Sequence, residues 1–229
     1  MRIEHKPDCE ECNCKCDIYE VVRKSGAHIP QSKVIRAAFR KHENICRQGD
    51  SVTHAIYMVE GMAKLYIEGL NNHNIILYLL KPPAYIGLLS FFESIHYTYS
   101  VTALEETKVC MVELEFLKNL YLKDHEMLLN LNRAFGKSVA LIMKKIICLN
   151  QKYIRGRIAE SLIYLSSFFG SNRFVLPVTR KELGEMSAIS EENTVRLLSE
   201  LKKEGIIKIE GKELTLNDMK LLKKISELG

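Results

Sequence analysis

The chain has 229 residues, 47% of them hydrophobic, which allows one large or two modest domains around a real core. No apolar run approaches the roughly 18 residues a membrane span needs, and residues 1–16 lack the apolar centre of a signal peptide. The expectation is a soluble cytoplasmic protein. A net charge of +5 suits a phosphate-bearing partner without singling one out.

Four of the seven cysteines, Cys9, Cys12, Cys14 and Cys16, crowd the start; Cys46, Cys110 and Cys148 are scattered. The odd total and lopsided placement argue against a secreted disulfide framework, and a reducing compartment keeps them as thiols. Residues 1–20 read as a cysteine-rich arm.

Residues 21–123 are expected to form a sensor β-barrel with flanking helices. Short runs rich in β-branched and aromatic residues fall at 55–59, 63–68, 75–80, 97–103 and 108–112. Turn signals at Gly49-Asp50, Glu60-Gly61, 69–74 and Pro82-Pro83 separate them. Frequent short strands with regular punctuation indicate an antiparallel barrel or sandwich, here taken as a jelly roll.

The period then changes. Leu128, Leu131, Phe135, Ser138, Ile142, Lys145 and Leu149 follow three- and four-residue steps, broadened by Val139 and Ile146. This predicts a helix of about 25 residues with a coiled-coil seam. Residues 124–152 are read as a dimerisation helix joined through Leu128, Leu131, Phe135, Ile142 and Leu149. A helix packed only on its own domain is the alternative.

Residues 153–229 read as a winged helix-turn-helix. A helix over 153–169 ends at Gly170, and 174–176 makes a short strand. Thr179 with Glu182 has the form of a capping box, and Ser190 followed by Glu191 and Glu192 opens the next helix, which stops at Gly205. Two β-rich runs, 206–209 and 213–216, flank the turn Glu210-Gly211-Lys212 as a wing. The whole is an α+β chain.

In a helix-turn-helix the second helix places its N-terminal residues against base edges. Glu192, Val195 and Arg196 share one face of it; Thr194, Leu197, Leu198 and Leu201 form the opposite, core-facing side. An arginine donates two bonds to guanine, and a carboxylate accepts from cytosine. Arg180, Lys181, Lys202 and Lys203 are candidate phosphate contacts. An ordinary solvated Glu–Arg helix pair is the competing reading for Glu192 and Arg196.

The stretch "TRKELGEMSAISEENTVRLLSELKKEG" (179–205) resembles the recognition motif of the CRP–FNR regulators. The resemblance runs over nearly the whole chain: barrel, long dimer helix, winged helix. It implies a homodimer on palindromic double-stranded DNA, contact with RNA polymerase, and base reading by Glu192 and Arg196. Val195 departs from the serine of FNR-like proteins and offers only apolar contact, for example to a thymine methyl.

Cyclic-nucleotide members of that family carry a Gly-Glu and then an Arg-Ser pair facing the phosphate. Here "YIGLLSFFESIHYTYSVTALEE" has Gly87-Leu88 and Tyr99-Ser100 instead, which removes the cation and speaks against cAMP. "DCEECNCKC", together with "ALEETKVCMVELEFLKNLY" around Cys110, resembles the FNR cluster-binding segments. That resemblance implies a [4Fe-4S] cluster sensing oxygen or redox state, with Cys9, Cys12, Cys110 and one of Cys14 or Cys16 as ligands. The spacing differs from FNR, so zinc in a thiolate site, thiol redox, or a small-molecule effector in the barrel stay open. Heme, sensing nitric oxide, is a further alternative, although none of His5, His28, His42, His54, His73, His96 and His125 stands out as a ligand.

An enzyme on a cupin-like barrel would need clustered histidines and a carboxylate among the strands; the strands carry none, so no enzyme is expected. A regulatory binding module without DNA activity is a third reading, against which the basic balance and Arg196 count.

Overall fold

The computed structural model describes residues 1–4, 9, 16–24, 30–91, 95–122 and 124–228. Cys12 and Cys14, two of the candidate metal ligands, lie outside the described residues. The chain divides into two compact units, Met1–Ile67 with Leu79–Ala140, and Glu68–Tyr78 with Leu141–Gly229.

In chain order the elements begin with strand β1 (Arg2–Glu4), helix α1 (Asp17–Lys24), β2 (Val34–Phe39), β3 (Asn44–Cys46), β4 (His54–Glu60) and β5 (Ala63–Ile67). There follow β6 (Ile75–Leu80), β7 (Ala84–Ile86), the short α2 (Leu88–Phe91), β8 (Ser100–Ala103) and β9 (Thr107–Glu113). Helices α3 (Leu114–Tyr121) and α4 (His125–Gln151) come next. The strands form two sheets, ordered β1-β2-β9-β4-β7 and β3-β8-β5-β6. The jelly-roll expectation is met in class, and 75–80 falls where the alternation put it. The run 97–103 shortens to Ser100–Ala103, while Tyr97 and Tyr99 are buried just before the strand.

Strand register explains which side chains are inside. Ala37, Val109 and Met58 lie in one cross-strand row, and all are fully buried. Because side chains alternate along a strand, the row Val34, Val112, Ala55 belongs to the opposite, outer face. That face is covered by helices: Ile18, Val21 and Val22 of α1, Leu117 of α3, and Met127 and Leu131 of α4 share one core cluster with it. Burying each such side chain contributes about 1.5–3 kcal/mol.

Leu131 requires a correction. It is only 1% exposed, packed inside its own chain, so it offers no surface to a partner. The buried side of α4 runs through Met127, Leu131 and Cys148, and the exposed large apolar residues are Leu129, Met143, Ile146 and Ile147. The three- and four-residue rhythm is real, and Leu131 is the one residue of that seam that is buried within the chain. The exposed apolar stripe lies further round the helix, flanked by half-exposed Leu128, Phe135, Ile142 and Leu149.

The second unit continues with α5 (Ile154–Phe169), β10 (Arg173–Val175), α6 (Arg180–Ser187), α7 (Glu191–Lys203), β11 (Ile207–Glu210), β12 (Glu213–Leu216) and α8 (Met219–Leu228). Gly170 caps α5 in the left-handed conformation, as anticipated. Ile158, Leu162, Leu165, Leu183, Leu201, Leu214 and Leu222 are fully buried and make its core. Helix α8 was not anticipated. Asp218 starts it, accepting from Leu221 N–H at 2.8 Å, and Leu222 and Ser226 turn inward. Lys152 Nζ donates to Glu160 Oε2 at 2.9 Å and to Ser226 Oγ at 2.7 Å, which ties α8 to α5. No helix among the described residues is long and apolar enough to cross a membrane.

Candidate nucleic-acid interface

The site is built from local chemistry at two helix starts. Thr179 Oγ1 accepts from Glu182 N–H at 3.1 Å, while Glu182 Oε2 accepts from Thr179 N–H at 2.7 Å. This capping box satisfies two backbone donors that α6 alone leaves open. Ser190 Oγ accepts from Asn193 N–H at 3.2 Å and caps α7 in the same way. Between the helices, Gly184 permits a close crossing. A Cβ there would lie 2.7 Å from Ile189 O and 2.8 Å from Thr194 Oγ1, so any side chain forces the helices apart.

Helix α7 has two clean faces. Thr194, Leu197, Leu198 and Leu201 are buried, and Glu192, Val195, Arg196 and Ser199 are exposed. Arg196 Nη1 donates to Glu200 Oε1 at 3.0 Å and Nη2 to Asn193 Oδ1 at 3.2 Å. The solvated pair that forms is therefore Arg196 with Glu200, not with Glu192, and a sequence reading of Glu192 alone missed that.

Arg180, the first residue of α6, is half-buried; its Nη1 is buried without a hydrogen-bond partner. Burial pushes its pKa down from the ordinary arginine value. Lys181, Lys202 and Lys203 are exposed. The wing is the β11–β12 hairpin, with Ile207 opposite Leu216 and Glu210 opposite Glu213, and β10 completes its sheet.

Of the candidate ligand thiols, Cys9, Cys16 and Cys110 are described and lie in the first unit. Cys9 and Cys16 are partly buried against the cluster of Val34, Ala55, Val112, Leu117, Met127 and Leu131. Cys110 stands on β9 between Arg36 and Tyr57, two residues from Val112 and so on the same outer face. Among the described residues no three His, Cys, Asp or Glu side chains converge to hold a metal ion. Cys46 and Cys148 are buried, and burial raises both thiol pKa values, that of Cys46 to about 12.

Cys16 also has a mechanical connection. Its carbonyl accepts from Glu20 N–H at 3.0 Å and so starts α1. That helix shares a core with α4, and Lys24 Nζ meets Glu126 of α4 at 2.6 Å.

At the position of the cyclic-phosphate cassette, Tyr99 is buried, and the Ser100 hydroxyl already accepts from Gln48 N–H at 2.9 Å. Neither supplies a cation.

A two-sheet β domain followed by a capped helix-turn-helix with a wing is an architecture of DNA-binding transcription regulators. Residues 36–124 match the cyclic nucleotide-binding domain family and residues 156–225 the Crp-like helix-turn-helix domain family. The chain is 27% identical over 184 residues to the transcriptional activator protein FnrA of Stutzerimonas stutzeri, covering 78% of this chain and 75% of that one. It is 28% identical over 185 residues to the transcriptional activator protein anr of Pseudomonas aeruginosa, covering 78% and 75%. The structure of FixK2 from Bradyrhizobium japonicum shares the fold with a TM-score of 0.76 at 19% identity, over 84% of this chain and 96% of that one. The chain belongs to the CRP–FNR family of regulators.

Proposed function

We propose that the chain acts in the cytoplasm as a homodimer that binds a palindromic double-stranded DNA site and regulates transcription together with RNA polymerase. The observation that carries this reading is the division of α7: four residues are buried in the core, and Glu192, Val195 and Arg196 stand together in solvent. Arg196 reads guanine, Glu192 accepts from cytosine, and Val195 makes apolar contact. Arg180 and Lys181 meet phosphates. The exposed stripe Leu129, Met143, Ile146 and Ile147 is the dimer face, since an apolar helix face of this length is costly to leave in water. The arrangement of domains is 1–20, 21–123, 124–152 and 153–229.

Arg196→Ala tests the reading. Specific binding should weaken by about 1–3 kcal/mol, with relaxed preference at one base position. Unchanged sequence-specific binding would show that α7 is not the recognition helix.

For the signal, we propose oxygen or redox state, read through a cysteine-bound [4Fe-4S] cluster. Cys110 stands on the outer face of the sheet, Cys9 and Cys16 pack against the cluster that covers that face, and Cys12 and Cys14 are the remaining candidates of the ligand set. Such a cluster is lost on oxidation, and that lability is the chemistry it would supply. The chain's own part is the route from Cys16 through α1 to Met127 and Leu131 of α4: a disturbed arm disturbs the helix that carries the dimer face. The related proteins named as FnrA and anr are described as activators, and others in the same range of similarity as anaerobic regulatory proteins.

Anaerobic purification followed by iron, sulfide and zinc analysis separates the alternatives. About four irons and four sulfides per chain, lost in air, support the cluster. One zinc per chain assigns the thiols a structural site. Absence of both returns the search to heme or to a small effector in the barrel; cAMP lacks its cation there.

A further inference from the structure

Lys145 is a cation on the buried side of α4, and base reading makes no use of it. Its Nζ donates to the backbone carbonyl of Met186 at 2.6 Å. Burial lowers its pKa from the ordinary lysine value, against the opposing influence of Cys148 and Glu160. A methionine would fill the same space without burying a charge, so a packing role alone does not account for a lysine here.

The acceptor explains the choice. Met186 lies in the last turn of α6, where carbonyls have no intrahelical partner and the helix dipole favours a cation. The same turn is bound into a buried polar group. Ser161 Oγ and Ser187 Oγ lie 2.9 Å apart, and Ser187 Oγ donates to Leu183 O at 3.1 Å; the two serines are 2% and 0% exposed. Immediately beyond, Ala188 takes a left-handed φ of 49° to close the helix. Ile189 N–H returns to Gly184 O at 3.0 Å, and Ser190 caps α7. The end of α6 therefore sets where α7 begins.

We infer that Lys145 is a positioning residue for DNA binding: reaching from α4, it caps the C-terminus of α6 and holds the elbow that aims α7. This rests on the DNA-binding reading above. In a dimer joined through α4, the spacing of the two recognition helices depends on how firmly each elbow is held to that helix, and Lys145 supplies a directional, charged contact there.

The experiment uses the full chain. A palindromic duplex is selected from a random-sequence pool with wild-type protein, and variants of it are made with one base pair added or removed between the half-sites. Affinities for all three duplexes are measured for wild type, Lys145→Met and Lys145→Arg, alongside melting temperature. Lys145→Met should lose about tenfold on the selected site and most of the discrimination between spacings, with little change in melting temperature, and Lys145→Arg should restore most of both. A purely structural role would instead lower melting temperature and weaken all three duplexes alike. Should Lys145→Met fail to fold, Lys145→Gln, an uncharged donor, gives the same readout. Wild-type discrimination in the folded variant overturns this inference alone. A wild type that selects no palindrome overturns the DNA-binding reading, and this inference with it.

Discussion

The helix-turn-helix elbow and the cysteine-bearing face of the barrel are built by different physics. At the elbow, Thr179 pairs with Glu182, Ser190 with Asn193, and Gly184 with Ile189 and Thr194. Most of these partners are a few residues away, so the geometry is set largely locally, and Lys145 of α4 and Ser161 of α5 add two contacts of long sequence separation at Met186 and Ser187. On the barrel face, Cys9 and Cys16 pack against a cluster made by α1, α3, α4 and the outer side of the sheet, and Cys110 stands on that side because β9 pairs with β2 and β4. An arrangement built from such distant pieces is sensitive to anything that alters one piece. The first arrangement suits a reader that must keep its shape, and the second suits the sensing role proposed above.

The largest expected effect tests the barrel side of this contrast. Leu131 is buried between the sheet and α1, so Leu131→Ala should destabilise the chain by about 3 kcal/mol, seen as a lower midpoint in urea unfolding. Ile147→Ala, on the exposed stripe, should leave that midpoint nearly unchanged when measured on monomer and shift the monomer–dimer equilibrium in sedimentation instead. If Leu131→Ala affected only dimerisation, the assignment of the two faces of α4 would be reversed.

At the elbow the expected loss is smaller, because each local contact carries a modest share. Thr179→Ala removes the cap of α6 and should cost about 1 kcal/mol in thermal unfolding. Specific DNA affinity should fall with it, since α6 supports α7. A change within a few tenths of a kcal/mol would mean that Glu182 and the buried Leu183 hold the first turn without the box.

The same contrast explains what the sequence made legible. Both capping residues, the two faces of α7 and the glycine turn of the wing were readable because their partners lie within four residues. On α4 the period was legible, but at Leu131 the partner was not: periodicity reports that a face is apolar, not which surface covers it. Leu131 meets α1 and the sheet through contacts of long sequence separation that no local pattern encodes. Helix α8 was missed although Asp218 followed by Met219, Leu222 and Ile225 carries a cap and a helical stripe. Lys145 was read as part of an apolar seam, since nothing in its neighbourhood announces the carbonyl of Met186. The departure at Gly87-Leu88 and Tyr99-Ser100 was legible because it is a question of residue type, and a tyrosine brings no positive charge wherever it packs.

The smallest expected effect bears on the recognition face itself. Arg196 is held by Glu200 and Asn193 in an exposed arrangement; a helix pair of this kind contributes about 0.3–0.5 kcal/mol. To reach guanine, the guanidinium must share or leave those partners. Glu200→Ala should therefore leave the unfolding midpoint almost unmoved. It should also leave specific affinity unchanged or tighten it by about twofold, because a competing acceptor and a negative charge facing DNA are both removed. A loss of affinity of about tenfold or more would carry the opposite meaning: Glu200 orients the fork of Arg196, and the elbow's local logic extends from the backbone caps to the base-reading side chain.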